Sequence, residues 1–191
     1  MEVRLVSSDV DQQSFAAKSK VLYRAGHQYC RTEEAPDAPN GIHGLVIINE
    51  PNAWLINLET KTGQHFIDPG PTFNCRLQIF APIGTKDAPD MLTNDLEFGR
   101  ELEFFQKLGN AQAGPTVQGK ETSVYIVEIG TTALGLPTYG TPERPLTISR
   151  KYGNHTEIFW YDNYEDVSFD SKLFVIPEGI TMEEVKTHSQ H

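Results

Sequence analysis

His27 and Cys30 stand in His-x-x-Cys spacing, and His43, His65 and Cys75 fall within reach of the same strands, so zinc is the first chemistry to weigh. A structural zinc site needs four ligands converging on one point. Only His27 and Cys30 are locally spaced for that, and Tyr29 and Cys30 take opposite faces of an extended strand. The histidines therefore read as scattered, and neither a metal nor a cofactor is expected. Cys30 and Cys75 form either one disulfide or two free thiols, and two cysteines alone do not choose between these.

Carboxylates come next. Glu33-Glu34, Asp87 with Asp90, and Asp162 with Asp166 have the types needed for acid–base work or calcium. Adjacent carboxylates on a strand point to opposite faces, and the other pairs lie in loop-like sequence, so all three read as solvated charge. Ser7-Ser8 and the other serines lack a His and an Asp in any recognisable order. With no nucleophile elbow, phosphate loop or metal cassette, the chain is not expected to be an enzyme.

What must position these side chains is mostly strand. The stretch from Ile42 to Pro71 holds three short apolar runs, GLVII, AWLIN and QHFID, separated by Glu50-Pro51-Asn52 and by Glu59 to Gly63. The runs are too short for helices and the separators carry turn-forming Pro, Asn and Gly, so the stretch reads as a β-meander. Phe15 to Arg24 alternates as a half-buried strand, Ala25-Gly26-His27 turns it into a second strand over Gln28 to Glu34, and Pro36 to Gly41 forms a loop. Connections this short make antiparallel neighbours.

The period changes once. Asn94 as a cap, with Glu97 three residues on, predicts a helix whose apolar stripe is Phe98, Leu102, Phe105 and Leu108. Glu97, Arg100, Glu101 and Lys107 fall on its solvent side, and Gly109 is placed to end it in a left-handed conformation. Strands return over Ser123–Ile129 and over Leu146–Lys151 with Thr156–Tyr161, the last two joined by a tight turn at Gly153-Asn154. Ile158 and Trp160 are expected on one face, Phe159 and Tyr161 on the other. Thr181 to Glu184 has the form of a capping box opening a short terminal helix. Trp54, Phe66, Tyr125, Phe159 and Trp160 are the residues expected to line or underlie an apolar interior.

A chain of 191 residues buries a sizeable core as one domain, and the Gly-rich and Pro-rich stretches at 109–120 and 135–145 read as loops within it. A formal net charge of −10 argues against binding nucleic acid. No apolar run approaches the length of a membrane span. Met1 leads directly into the strand-like Glu2 to Val6, so removal of a leader and a periplasmic or secreted location are expected.

In order and spacing, the strand into VLYRAGHQYCRTEE, the meander AWLINLETKTGQHFIDPGP, one central helix, LGLPTYG ahead of a hairpin, and SKLFVIPEGI resemble the LolA-like superfamily of periplasmic lipoprotein carriers. The likeness covers about Phe15 to Ile180. It implies an α+β, mostly antiparallel, incomplete β-barrel with one or two helices packed on or across it. It also implies a non-enzymatic cell-envelope protein that holds a lipid, acyl chain or other apolar ligand in the concave face of the sheet. Arg24, Arg31 and Arg76 are alike in strand context, and none is singled out as the carriers' functional arginine. The alternative is a sensory or scaffold module that docks another envelope protein.

Overall fold

The computed structural model describes residues 1–7, 10–67, 77–80 and 96–185. In chain order the elements are β1 (Glu2–Ser7), β2 (Lys20–Ala25), β3 (Tyr29–Glu34), β4 (Gly44–Asn49), β5 (Asn52–Asn57), β6 (Thr62–Ile67), α1 (Glu101–Leu108), β7 (Gln112–Ala113), β8 (Ser123–Ile129), β9 (Thr132–Tyr139), β10 (Arg144–Pro145), β11 (Thr147–Tyr152), β12 (His155–Asn163) and β13 (Thr181–Glu184). The described residues are mostly antiparallel sheet, with one α-helix among them. Its contacts gather into two compact units, Met1–Glu2 with Lys18–Arg76 and Glu165–His191, and Val3–Ala17 with Leu77–Tyr164.

In the first unit the strand order is β13-β6-β5-β4-β3-β2, and the sheet does not close on itself. The expected meander is present as β4, β5 and β6, in register Ile47↔Trp54 and Trp54↔His65. Residues 68–71, its predicted end, lie outside the described residues. Alternation sorts its side chains: Leu45, Ile47 and Ile56 are buried on one face with Phe174, while Cys30 pairs with Ile48 on the other. Two expectations change here. Phe15–Ala17 is a 3-10 turn, and the strand begins only at Lys20. Thr181–Glu184 is not a helix but a strand running parallel to β6, with Met182 beside Gly63 and Glu184 beside His65. The open edge of β6 offers four residues of ladder there, and Met182 packs against the core, which outweighs a local capping signal.

The second unit has the order β1-β12-β11-β9-β8-β7, with β10 paired to β9, and is likewise open. The tight turn between β11 and β12 is at Gly153-Asn154, as expected, with Gly153 at φ +55°. Four other readings are corrected. The stretch 135–145 is not a loop as a whole, since Thr132–Tyr139 forms β9 and Arg144–Pro145 pairs back on it. Asn94 lies outside the described residues, and the helix starts only at Glu101, because Gly99 at φ +83° breaks any helical path from Glu97. Of the expected stripe Phe98 and Phe105 are buried, but Phe98 precedes the helix and Leu108 is exposed; within the helix Glu101, Phe104 and Phe105 are buried, and both Glu97 and Glu101 are buried rather than on the solvent side. Gly109 ends it extended, at φ 177°, with its N–H bonded to the Phe105 carbonyl.

Register places Phe159 and Glu157 across from Ile148 and Arg150, and Arg150 across from Leu134, while the Tyr161 N–H donates to the Leu146 carbonyl and Thr138 faces Pro145. This is the face against which Phe98, Phe104 and Phe105 pack, and most of it is buried. On the opposite face Ile126 is exposed, and Arg4 on β1 pairs with Asp162 on β12 at 2.9 Å.

Candidate functional site

In the first unit, the segment from Glu165 to Ile180 crosses the Leu45–Ile47–Ile56 face as a strap. Asp170 starts its one turn of 3-10 helix, Ser171–Phe174, by accepting the Lys172 N–H at 2.9 Å. An aspartate at this position satisfies an otherwise orphaned amide, and the turn it begins drives Leu173 and Phe174 onto the sheet. Phe174 is buried and meets the Tyr29 ring at 5.3 Å. The strap is tied from below: Arg31 Nη1 donates to the Leu173 carbonyl at 3.2 Å, while its Nη2 lies 2.7 Å from Glu33 Oε2. The other Glu33 oxygen is 3.1 Å from His43 Nε2, and since a carboxylate only accepts, His43 carries its proton there.

A second histidine stands at the β6–β13 edge. His65 Nδ1 donates to the Glu184 carboxylate at 2.8 and 2.9 Å, its Nε2 is 2.9 Å from Asn52 Oδ1, and its ring stacks on Trp54 with centroids 5.3 Å apart. Both ring nitrogens of His65 are thus committed. Neither histidine has a hydroxyl or thiol on it among the described residues, so neither forms a base–nucleophile pair. Cys30 is disulfide-bonded. Cys75, the other cysteine of the sequence, lies outside the described residues, as do Arg76, Asp87 and Asp90. Among the described residues no group of three or more His, Cys, Asp or Glu is arranged to hold a metal.

The strap leaves part of its apolar content outside. Val167 is 63% exposed and Phe169 57% exposed, and Val175 is exposed as well. Phe169 is nonetheless fixed, with its ring 5.1 Å from Tyr29 and stacked at 5.8 Å on Phe174.

In the second unit two charged side chains, Glu101 and Arg150, are buried and partnered. Glu101 is 0% exposed, and its Oε1 accepts the Tyr161 hydroxyl at 2.7 Å and the Gly99 N–H at 2.8 Å. Burial, and then the Glu101 charge, push the Tyr161 phenol well above its usual range. Arg150, 2% exposed, binds Glu157 through Nε at 2.7 Å and lies over the Phe80 and Tyr152 rings at 4.7 and 5.1 Å. A guanidinium this buried is held by a carboxylate and two π-faces, the partners that offset its desolvation. An open cleft of about 600 Å³ lies in the same unit, lined by Lys120, Glu121, Thr122, Thr138, Tyr139 and Glu143 among others. Its lining is mixed polar and apolar, and Lys120 Nζ caps the Tyr139 ring at 3.8 Å.

The five residues expected around one apolar interior are distributed. Trp54 shares the strap-covered face of the first unit with His65, whereas Phe66, paired with Ala53, is on the Cys30 face. Tyr125 and Phe159 share the helix-covered face of the second unit. Tyr125 donates to Glu143 at 2.9 Å and packs on Phe105, and Phe159 is wedged between Phe80 and Phe98. Burial raises the Tyr125 phenol. Trp160 is on the opposite face, under the Arg4 guanidinium at 5.9 Å. The buried role of Glu101 had no sequence signal of its own, since its partner Tyr161 is distant along the chain, whereas the hairpin turning at Gly153-Asn154 sets Arg150 opposite Glu157. The exposed apolar strap had one in Asp166 to Asp170, where Val167 and Phe169 alternate with polar residues.

No helix among the described residues is long and apolar enough to cross a membrane. No protein-family model matches the sequence, and no curated protein matches it.

Proposed function

We propose that this chain is a non-enzymatic binding module of the cell envelope, and that it docks another envelope protein through the strap of its first unit. The observation that carries this is the division of the strap's apolar side chains. Leu173 and Phe174 fill the sheet face beneath, while Val167, Phe169 and Val175 stay outside. Exposed apolar groups that are held rigidly cost little entropy to bury against a partner, which is how interface anchors work. The Cys30 disulfide supports an oxidising compartment, periplasmic or secreted, and the LolA-like order of elements supports the same setting. The test is a pull-down from detergent-free envelope extract with wild-type protein and with V167S/F169S. A partner retained by the first and lost by the second is expected; equal recovery by both refutes the reading.

A second reading keeps the LolA-like half-barrel and an acyl chain or other apolar ligand. It is favoured by Tyr23, Tyr29, Trp54 and Met182, which are only partly buried around the strap, so that lifting it would open an apolar sheet face. Native mass spectrometry of gently purified protein separates the two. Bound lipid mass, lost on bulky substitution at Met182, supports the ligand; its absence leaves the docking surface.

A further inference from the structure

We infer that the partner segment received by the strap is basic and amphipathic, a peptide stretch presenting Lys or Arg beside large apolar side chains. The inference rests on the docking reading above and adds the partner's chemistry. Residues 165–172 are exposed without interruption, and within them Val167 and Phe169 are interleaved with Glu165, Asp166 and Asp170. Lys172 is the one base in that stretch. Asp170 is engaged in capping the Lys172 amide. Glu165 and Asp166 have no cation partner among the described residues, so their charge is available to an incoming guanidinium or ammonium.

Charge decides among the occupants. An anionic bilayer surface is repelled by the same carboxylates that flank Phe169. A second copy of this chain would bring identical carboxylates together across a two-fold contact, on molecules each carrying −10. A basic segment meets neither objection: its apolar side chains cover Val167 and Phe169 while its cations face Glu165 and Asp166. The anchoring of Phe169 on Tyr29 and Phe174, and of the strap on Arg31, means that the surface is already shaped before the partner arrives.

The experiment uses the full chain and three labelled peptides of about twelve residues, alike in apolar pattern but carrying Lys, Glu or Ser at the polar positions, read by fluorescence anisotropy. The Lys peptide is expected to bind best and to weaken several-fold between about 50 and about 250 mM salt. F169A is expected to weaken it at least about tenfold. E165Q/D166N, at two exposed positions, is expected to weaken it about threefold to tenfold while leaving the Ser peptide unchanged. E59Q/E128Q, removing two carboxylates elsewhere, should leave binding as in the wild type. If all carboxylate variants weaken the Lys peptide equally, attraction is only to net charge and the inference fails. If the Glu or Ser peptide binds best and depends on Phe169, the basic partner is wrong while the docking surface stands. If no peptide responds to F169A, the docking reading itself falls.

Discussion

Replacing Glu101 with alanine tests whether the second unit is held by its buried carboxylate. Glu101 Oε1 accepts from Tyr161 at 2.7 Å and from the Gly99 amide at 2.8 Å, and Tyr164 approaches the other oxygen at 3.5 Å. E101A leaves the buried Tyr161 hydroxyl and the Gly99 N–H at the start of α1 without that acceptor. Hydrogen bonds to a charged group contribute about 1.5–3 kcal/mol each, and loss of the two short ones is partly offset because a carboxylate no longer has to be desolvated. The net cost is expected to be about 3 kcal/mol. With a urea m-value of about 2 kcal/mol per molar, the midpoint falls by about 1.5 M. E101Q keeps an oxygen for both donors and should cost only about 1 kcal/mol. The assay is equilibrium urea unfolding followed by Trp160 fluorescence in a W54F background, so that the signal comes from the second unit alone. A midpoint for E101A within about 0.3 M of wild type would mean that the network contributes no net stability. An E101Q as unstable as E101A would mean that charge, rather than acceptor geometry, holds the site.

Two further outcomes follow from single sites. Glu103 on α1, bonded by Lys107 at 2.7 Å and Arg100 at 2.8 Å, has its carboxyl lowered to about 2 by those two hydrogen bonds. Its depressed value means that its stabilising contribution is present above the ordinary carboxyl range and is lost as pH falls toward about 2; a side-chain NMR titration should show that midpoint, rising toward the ordinary value in K107A and in high salt. At Gly63 a Cβ would meet Met182 Sδ at 2.9 Å, Ile56 Cγ1 at 3.0 Å and the Leu55 carbonyl at 3.1 Å, so G63A should destabilise the first unit by about 1–3 kcal/mol. A thermal melt unchanged from wild type would show that β13 does not pack on β6 as described.

The meander was legible because its signals are local: Glu50-Pro51 and the stretch from Leu58 to Lys61 turn the chain, and alternation over five or six residues names the faces. The same locality explains what was not legible. Gly135 and Pro137 look like loop residues, yet Gly135 lies within β9, where Ser149 Oγ stands 2.9 Å from where a Cβ would be. Pro137, lacking an N–H, still accepts from Leu146 at 2.9 Å, which lets it sit within that strand. Glu101 read as solvent-facing because its partner Tyr161 is sixty residues away, and no pattern within a helical turn announces such a contact.

The strap sharpens this. Phe169 and Phe174 belong to one short run, DVSFDSKLF, and hydropathy does not distinguish them. Asp170 does: by capping Lys172 it starts the 3-10 turn that takes Phe174 inward to 3% exposure and leaves Phe169 outside, stacked on it. A polar cap thus decides which aromatic is core and which is surface, and the candidate site follows from that one hydrogen bond more than from the apolar content around it.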